Sequence, residues 1–325
     1  MPGFTTHYIF GMKAYNDMPF TPLKHTIAKY RWLYQLGLQG PDMFFYNIPI
    51  LRHRDYRNVG SYMHEHKVNA FFECCLRRIG TIRSRQQQEE AISYLAGFMN
   101  HYIADSICHP YVYGRIGYPV DAPTSMHHGM HAHLENELDA ILLWKYKKKK
   151  PSEFNQTATI CLNGQEIQFI SHFLASCINE TYYPITYRNN FQVTPAMVHR
   201  SIWALRFGCR TLSDKNGKKK FGIAQVESIF VNHPVASAKM VTDSVTDYRS
   251  SCNLNHEAWG NPWDPTRVST ASFVDLFHET LDKCRRVYAL LNSAITDNMP
   301  LDKQDLSTLL AELGNESYHS GLPVD

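Results

Sequence analysis

The sequence predicts a mainly α-helical (all-α class) protein carrying one small β-hairpin. Three observations predict this. Apolar residues recur at three-four spacing wherever a pattern can be read; helix entry and stop signals flank those runs; and a single short stretch pairs an Asn-Gly turn with β-branched and apolar neighbours. With 325 residues, 44% hydrophobic and 19% charged, there is material for one large core or two ordinary ones.

Taken in order, "QQQEEAISYLAGFMNHYIADSICHP" places Ile92, Leu95, Ala96, Met99 and Ile103 on one helical stripe, and Pro110 is expected to stop the run. "HHGMHAHLENELDAILLWKY" repeats the pattern with Met130, Leu134, Leu138 and Ile141. The exception follows: in "ATICLNGQEIQFI", Asn163-Gly164 reads as the turn of a hairpin over residues 158–169. "TPAMVHRSIWALRFGCRTL" opens on a Thr-Pro helix entry, and a long amphipathic helix begins near Ser272. The tail after about residue 314, "GNESYHSGLPVD", has little to bury and is expected to be loose.

The formal charge of +3 includes a local run from Lys145 to Lys150, so no general polyanion-binding surface, and no stable nucleic-acid binding, is expected. Eight cysteines occur without a regular framework, which reads as reduced thiols. The first residues lack a basic region leading into an apolar one, and no later stretch is apolar enough for a transmembrane segment; a cytoplasmic protein is the expectation. Histidine stands out: 11 of 17 fall within residues 1–133, which locates the chemistry in the first half. With the lysine run and Pro151 as a boundary over residues 146–156, the chain divides into a helical core at 1–145, which carries those histidines, and a C-terminal helical region at 157–325 packed on it, or the two form one continuous domain.

A four-residue step on an α-helix turns about 400°, so His101, Asp105 and His109 lie within roughly 80° of one another along about 12 Å of axis. Gly97, one step earlier, leaves that stripe without bulk on its amino-terminal side. An ionised carboxylate can offer one oxygen to each of two cations, so Asp105 can bridge, with His101 serving one ion and His109 the other. The next helix offers two pairs at the same step, His131 with Glu135 and His133 with Glu137, on opposite flanks of its apolar stripe; periodicity does not choose between them. Upstream, Asp42 follows a Gly-Pro turn, His64 and His66 lie at a helix start, and His7 follows two threonines at another.

These residues carry a family resemblance. "HYIAD", a following histidine and "HAHLENELD" resemble the motif of the zinc-dependent phospholipase C family, His-x-x-x-Asp, then His, then His-x-x-x-Glu-Asn-x-x-Asp. Zinc-dependent single-strand nucleases are similar and share the fold. "THYIFG", "GPDMFFY", "MHEHK" and "YLAGFMNHYIADSICHP" fall in family order before it, over residues 1 to about 145. The resemblance implies a multi-helix bundle and selects His131 and Glu135, because Asn136 and Asp139 follow at the family spacing. It further implies that Asp42, His64, His101 and Asp105 hold one zinc, that His109, His131 and Glu135 hold a second, and that His7 with Asp105 holds a third. The family's third site also uses a free amino terminus, where this sequence reads Met-Pro-Gly; the third ion is therefore expected to bind most weakly.

The implied function is zinc-dependent hydrolysis of a phosphate ester, most naturally a phosphodiester, through metal-activated water, with Asp42 as proton acceptor and two to three Zn2+ ions as cofactor. The substrate implied is a phospholipid head group, for which Phe44, Phe45 and Tyr46 offer aromatic faces to a quaternary ammonium. An intracellular diester or monoester, and single-stranded nucleic acid, are the alternatives. A partner-binding protein stabilised by structural zinc is the rival of a different class, but such sites favour closed, Cys-rich ligand sets and these are open His/carboxylate sets. "LNHEAWGNPWDP" reads as a loop whose Trp259 and Trp263 anchor it on the helices or cover a pocket.

Overall fold

The computed structural model describes residues 3–46, 59–188, 192–212, 214, 218–230, 237, 240–243, 245, 247–296 and 302–325. The first half is helical: α1 (Phe4–Asp17), α2 (Pro22–Lys29), α3 (Arg31–Gly37), a 3-10 turn (Gly40–Tyr46), α4 (Val59–Glu65), α5 (Val68–Thr81), α6 (Arg85–Arg115) and α7 (Ser125–Lys147). After two short 3-10 turns follow α8 (Gly164–Arg188), α9 (Pro195–Leu212), α10 (Lys218–Phe230) and α11 (Tyr248–Ser251). An antiparallel hairpin, β1 (Trp259–Asn261) and β2 (Asp264–Ser269), leads into α12 (Phe273–Thr296) and α13 (Lys303–Leu313).

The organising element is α6, whose 31 residues are buried all round from Glu90 to Ser106, as befits a helix at the centre of a bundle. Gly37 of α3 and Gly97 of α6 face each other so closely that a Cβ on either would come within 2.1 Å of a carbonyl oxygen of the other helix. Only glycine permits that crossing, and it draws α3 and the turn after it onto the polar stripe of α6. On another side α12 packs through Tyr288, whose hydroxyl donates to the Ala96 carbonyl at 3.0 Å and meets the Tyr34 hydroxyl at 3.0 Å. The Tyr34 hydroxyl donates in turn to Gly11 of α1.

Three sequence expectations change. Pro110 does not stop α6, which continues to Arg115. A proline inside a helix removes the bond to the carbonyl four residues back and crowds that oxygen; here that is Ser106, against which the C-terminal loop packs: at Gly321, with φ of 60°, a Cβ would lie 2.5 Å from the Ser106 oxygen. The hairpin is not at residues 158–169. Asn163 instead caps α8, accepting from the Glu166 amide at 2.9 Å while the Glu166 carboxylate accepts from the Asn163 amide at 2.8 Å. The hairpin lies at residues 259–269, in the stretch read as a loop, with Trp259 paired to Ser269. Finally, the tail is ordered: Val324 and Asn315 exchange hydrogen bonds, Ser317 donates to Leu322, and Tyr318 is buried. The expected helix entries stand, with Thr194 capping α9 and Ser272 sharing a reciprocal cap with Asp275 on α12.

Candidate metal centre

His101, Asp105 and His109 share one face of α6, each with no exposed surface. The turn after α3 approaches this face through Gly40, whose φ is 46° and where a Cβ would lie 2.2 Å from the His101 ring. That approach sets Asp42 beside the stripe, with its Oδ1 3.7 Å from His101 Nε2 and 3.3 Å from Nε2 of His64, on α4. Asp105 Oδ2 stands 3.1 Å from His101 Nε2 and 3.8 Å from His64 Nε2. One donor atom from each of Asp42, His64, His101 and Asp105 thus falls within 4.8 Å of the others.

A second set forms between α6 and α7. Glu135 Oε1 lies 2.6 Å from His131 Nε2 and 3.6 Å from His109 Nε2, and the donor atoms of these three residues also lie within 4.8 Å of one another. The two pairs left open by periodicity differ in their surroundings: His133 is exposed, and its partner Glu137 is buried where it accepts from the Ser251 hydroxyl of α11. His66, the neighbour of His64, is partly exposed and joins neither set.

The orientation of the rings argues for metal. His64 Nδ1 contacts the Gly60 carbonyl at 2.6 Å, His101 Nδ1 the Leu38 carbonyl at 3.1 Å, and His109 Nδ1 the Tyr318 carbonyl at 2.6 Å. A carbonyl only accepts, so each Nδ1 carries the proton and each Nε2 presents a lone pair to the interior. Those three Nε2 atoms, both Asp105 oxygens and Asp42 Oδ1 are buried without a hydrogen-bond partner among the described residues. So many unsatisfied acceptors are costly unless a cation fills the space between them. Ligands about 2.0–2.1 Å from a tetrahedral ion sit about 3.3–3.5 Å apart, and apart from the 2.6 Å His131–Glu135 contact the separations of 3.1–3.8 Å match. The residues present therefore fit zinc at two adjacent positions.

His7, on α1, stacks on His101 with ring centroids 4.0 Å apart and sets its Nε2 3.1 Å from Asp105 Oδ1. This corrects the reading of Asp105 as a bridge to the set containing His109. His109 turns its Nδ1 edge toward Asp105, at 3.8 Å, and commits that nitrogen to Tyr318, so Oδ1 faces His7 instead. Met1 and Pro2, the terminus invoked for a third ion, lie outside the described residues.

Electrostatics agree with a cation site. Burial alone would raise the Asp105 carboxyl, but His101 and His7 beside it hold it well below the ordinary carboxylate range. Burial and the neighbouring His101 lower His7, outweighing Asp105, and burial lowers His131. His101 is raised, because Asp105 and Asp42 together overcome the cost of its burial. Asp139 is not a ligand. It accepts from the Thr5 amide at 3.1 Å and the Thr6 amide at 2.7 Å, capping α1 from α7 and so placing His7; burial pushes its carboxyl up to about 6.

Sequence reasoning missed one group. His319, in the tail expected to be loose, stacks on His64 at 4.9 Å with its ring 5.7 Å from His109, and its Nδ1 meets the Tyr113 hydroxyl at 3.2 Å. No periodicity or local motif marks it. Of the two tryptophans, Trp259 is an anchor, donating to the Ala271 carbonyl at 2.9 Å and packing edge-on against Tyr111. Trp263 meets Tyr113 at 4.9 Å and Tyr118 at 6.0 Å, continuing an aromatic wall from His131. Phe44 is core, whereas Phe45 lies 5.3 Å from His64.

A sequence model described as zinc dependent phospholipase C matches residues 6–186, more than half of the chain and all eight candidate ligands. Neither the curated proteins nor the solved structures contain a significant match. With its two buried His/carboxylate sets in a mostly helical frame, the chain belongs to the zinc dependent phospholipase C family.

Proposed function

We propose that the protein is a zinc-dependent phosphodiesterase of phospholipase C type, cleaving a phosphate diester with metal-activated water. The observation that carries this is the pair of adjacent ligand sets, the first buried and the second nearly so, made only of imidazoles and carboxylates. Asp42, His64, His101 and Asp105 would hold one zinc, His109, His131 and Glu135 a second, and His7 with Asp105 a third. Zinc at such a centre lowers the pKa of bound water and neutralises charge on the phosphoryl oxygens.

The chain's own residues do the rest. Main-chain carbonyls of Gly60, Leu38 and Tyr318 fix the imidazole tautomers, so no ring has to reorient when the ion binds. Asp42, on a turn rather than a helix, presents one carboxylate oxygen to His64 and His101 and serves as proton acceptor for the attacking water. The wall of Tyr113, Tyr118 and Trp263 beside the second set suits the organic arm of a diester and excludes bulk water. Structural zinc would favour thiolates, and no cysteine falls in either set among the described residues.

Elemental analysis of protein never exposed to chelator, followed by assay against a phosphatidylcholine, a chromogenic diester, a monoester and single-stranded DNA, tests the proposal. At least two zincs per chain and diester hydrolysis that chelator abolishes and zinc restores are expected. Metal-replete protein that hydrolyses none of the four substrates overturns the assignment, and preference for single-stranded DNA would make it a nuclease.

A further inference from the structure

The carboxyl-terminal loop enters the centre from outside the region shared with the family, which ends at residue 186. It is built to stay there. Glu316 donates its amide to the Tyr102 hydroxyl at 2.9 Å and accepts from that hydroxyl at 2.5 Å, while Asn261 holds the Ser320 carbonyl at 2.7 Å. Between these anchors Tyr318 donates its amide to the His64 carbonyl at 2.9 Å and accepts from His109 Nδ1 at 2.6 Å. One residue of the loop is therefore bonded to a member of each ligand set.

The next residue carries the inference. His319 stacks nearly parallel to His64, at 4.9 Å and 16°, and its centroid is 5.7 Å from that of His109, so one ring spans both sets. It belongs to neither, since its nitrogens fall outside both groups of mutually close donor atoms. Unlike His64, His101 and His109, which have no exposed surface, it is only half-buried. Its main chain is fixed by donation to the Ser317 hydroxyl at 3.1 Å, and its ring by the Tyr113 hydroxyl at 3.2 Å from Nδ1.

We propose that His319 is a substrate-binding residue of this centre: Tyr113 donates to its Nδ1, and the Nε2–H that remains donates to a non-bridging phosphoryl oxygen of the ester held at the two ligand sets. A neutral imidazole has one donor and one acceptor nitrogen, and a hydroxyl donating to Nδ1 leaves only Nε2 to carry the proton. The ligand chemistry is a phosphoryl dianion or monoanion, which inorganic phosphate shares with the ester.

This inference rests on the proposed function, and the test separates the two. Zinc-loaded wild type, His319→Ala and His319→Gln are compared for zinc content, for inorganic phosphate affinity by calorimetry, and for kcat/KM on a chromogenic diester. Both variants should keep the wild-type zinc content. His319→Ala should bind phosphate about tenfold more weakly, the loss of one hydrogen bond to a charged acceptor, with part of that recovered in His319→Gln through its amide N–H. Wild type that takes up no zinc fails the proposed function before any variant is compared. Zinc-loaded His319→Ala that matches wild-type phosphate affinity, or that loses zinc, overturns the role of His319 alone.

Discussion

His109 and Tyr318 are 209 residues apart in the chain, yet the imidazole Nδ1 of the first donates to the main-chain carbonyl of the second at 2.6 Å. The second ligand set is therefore completed by backbone from the extreme carboxyl-terminal loop. No side chain at position 318 can be deleted to test this, since the contact is main chain.

Gly321 offers the way in. Its φ of 60° and its 2.5 Å approach to the Ser106 oxygen exclude any larger residue without moving the loop. Gly321→Val should displace the Tyr318 carbonyl from His109 and weaken zinc at the second set about 10–100-fold, the usual cost of losing a ligand's orienting partner, while the set containing His101 is less affected. Competition with a chromogenic chelator measures it. Equal weakening of both sets would show that the loop supports the whole fold and not His109 in particular.

Asp105 is the residue on which most of the centre converges, with Oδ2 toward His101 and His64 and Oδ1 toward His7. Asp105→Asn should therefore lose more than one equivalent of zinc, because it removes the charge shared by those neighbours. His133→Ala should lose none, since His133 is exposed and its neighbour Glu137 is engaged by Ser251. Metal content by elemental analysis decides both, and a large loss in His133→Ala would show that the wrong pair on α7 had been chosen.

How much of this was legible before the structure depends on how local the cause is. His101, Asp105 and His109 could be placed together because a helix imposes its own periodicity, and the stripe is where that periodicity puts it. The choice between His131 and His133 needed the resemblance, since both lie at the same step from a glutamate and only packing of α7 distinguishes them. Asn163-Gly164 misled because a turn signal and a helix cap use the same residue; Glu166, three positions on, was the discriminating mark. Pro110 misled because tertiary packing around a helix buried along most of its length outweighs the one hydrogen bond that a proline withdraws. His319 was invisible for the same reason: a polar, Gly- and Ser-containing tail has no local pattern that announces its docking on His64.

His7 tests the third position. Neither of its ring nitrogens has a hydrogen-bond partner among the described residues, and the acid that its Nε2 meets is Asp105, at 3.1 Å. An ion there would be held by few protein ligands. Zinc titration of the apo-protein should show a tight phase and a separate weaker phase, and His7→Ala should abolish only the weaker one. Unchanged stoichiometry in His7→Ala would assign this ring to packing against His101.

The last prediction concerns Asp139, which links α7 to the start of α1 and so to His7. Burial raises its carboxyl from an ordinary 3.8 to about 6, even though the Thr5 and Thr6 amides oppose that rise. The folded protein therefore holds this proton more tightly than the unfolded chain does. Its contribution to stability is fully present below about pH 3.8 and is lost as pH rises through about 6, by an amount on the order of 2–3 kcal/mol. Other groups move the other way, Asp105 among them, so the total pH profile does not isolate it. The difference between metal-free wild type and Asp139→Asn does, because only the wild type titrates at that position. In urea unfolding at intervals between pH 4 and pH 7, wild type should lose stability relative to Asp139→Asn as pH rises, with the change complete just above pH 6. A difference that stays flat, or that favours wild type at the higher pH, would mean that the Thr5 and Thr6 amides outweigh burial and that Asp139 anchors α1 as an ordinary ionised cap.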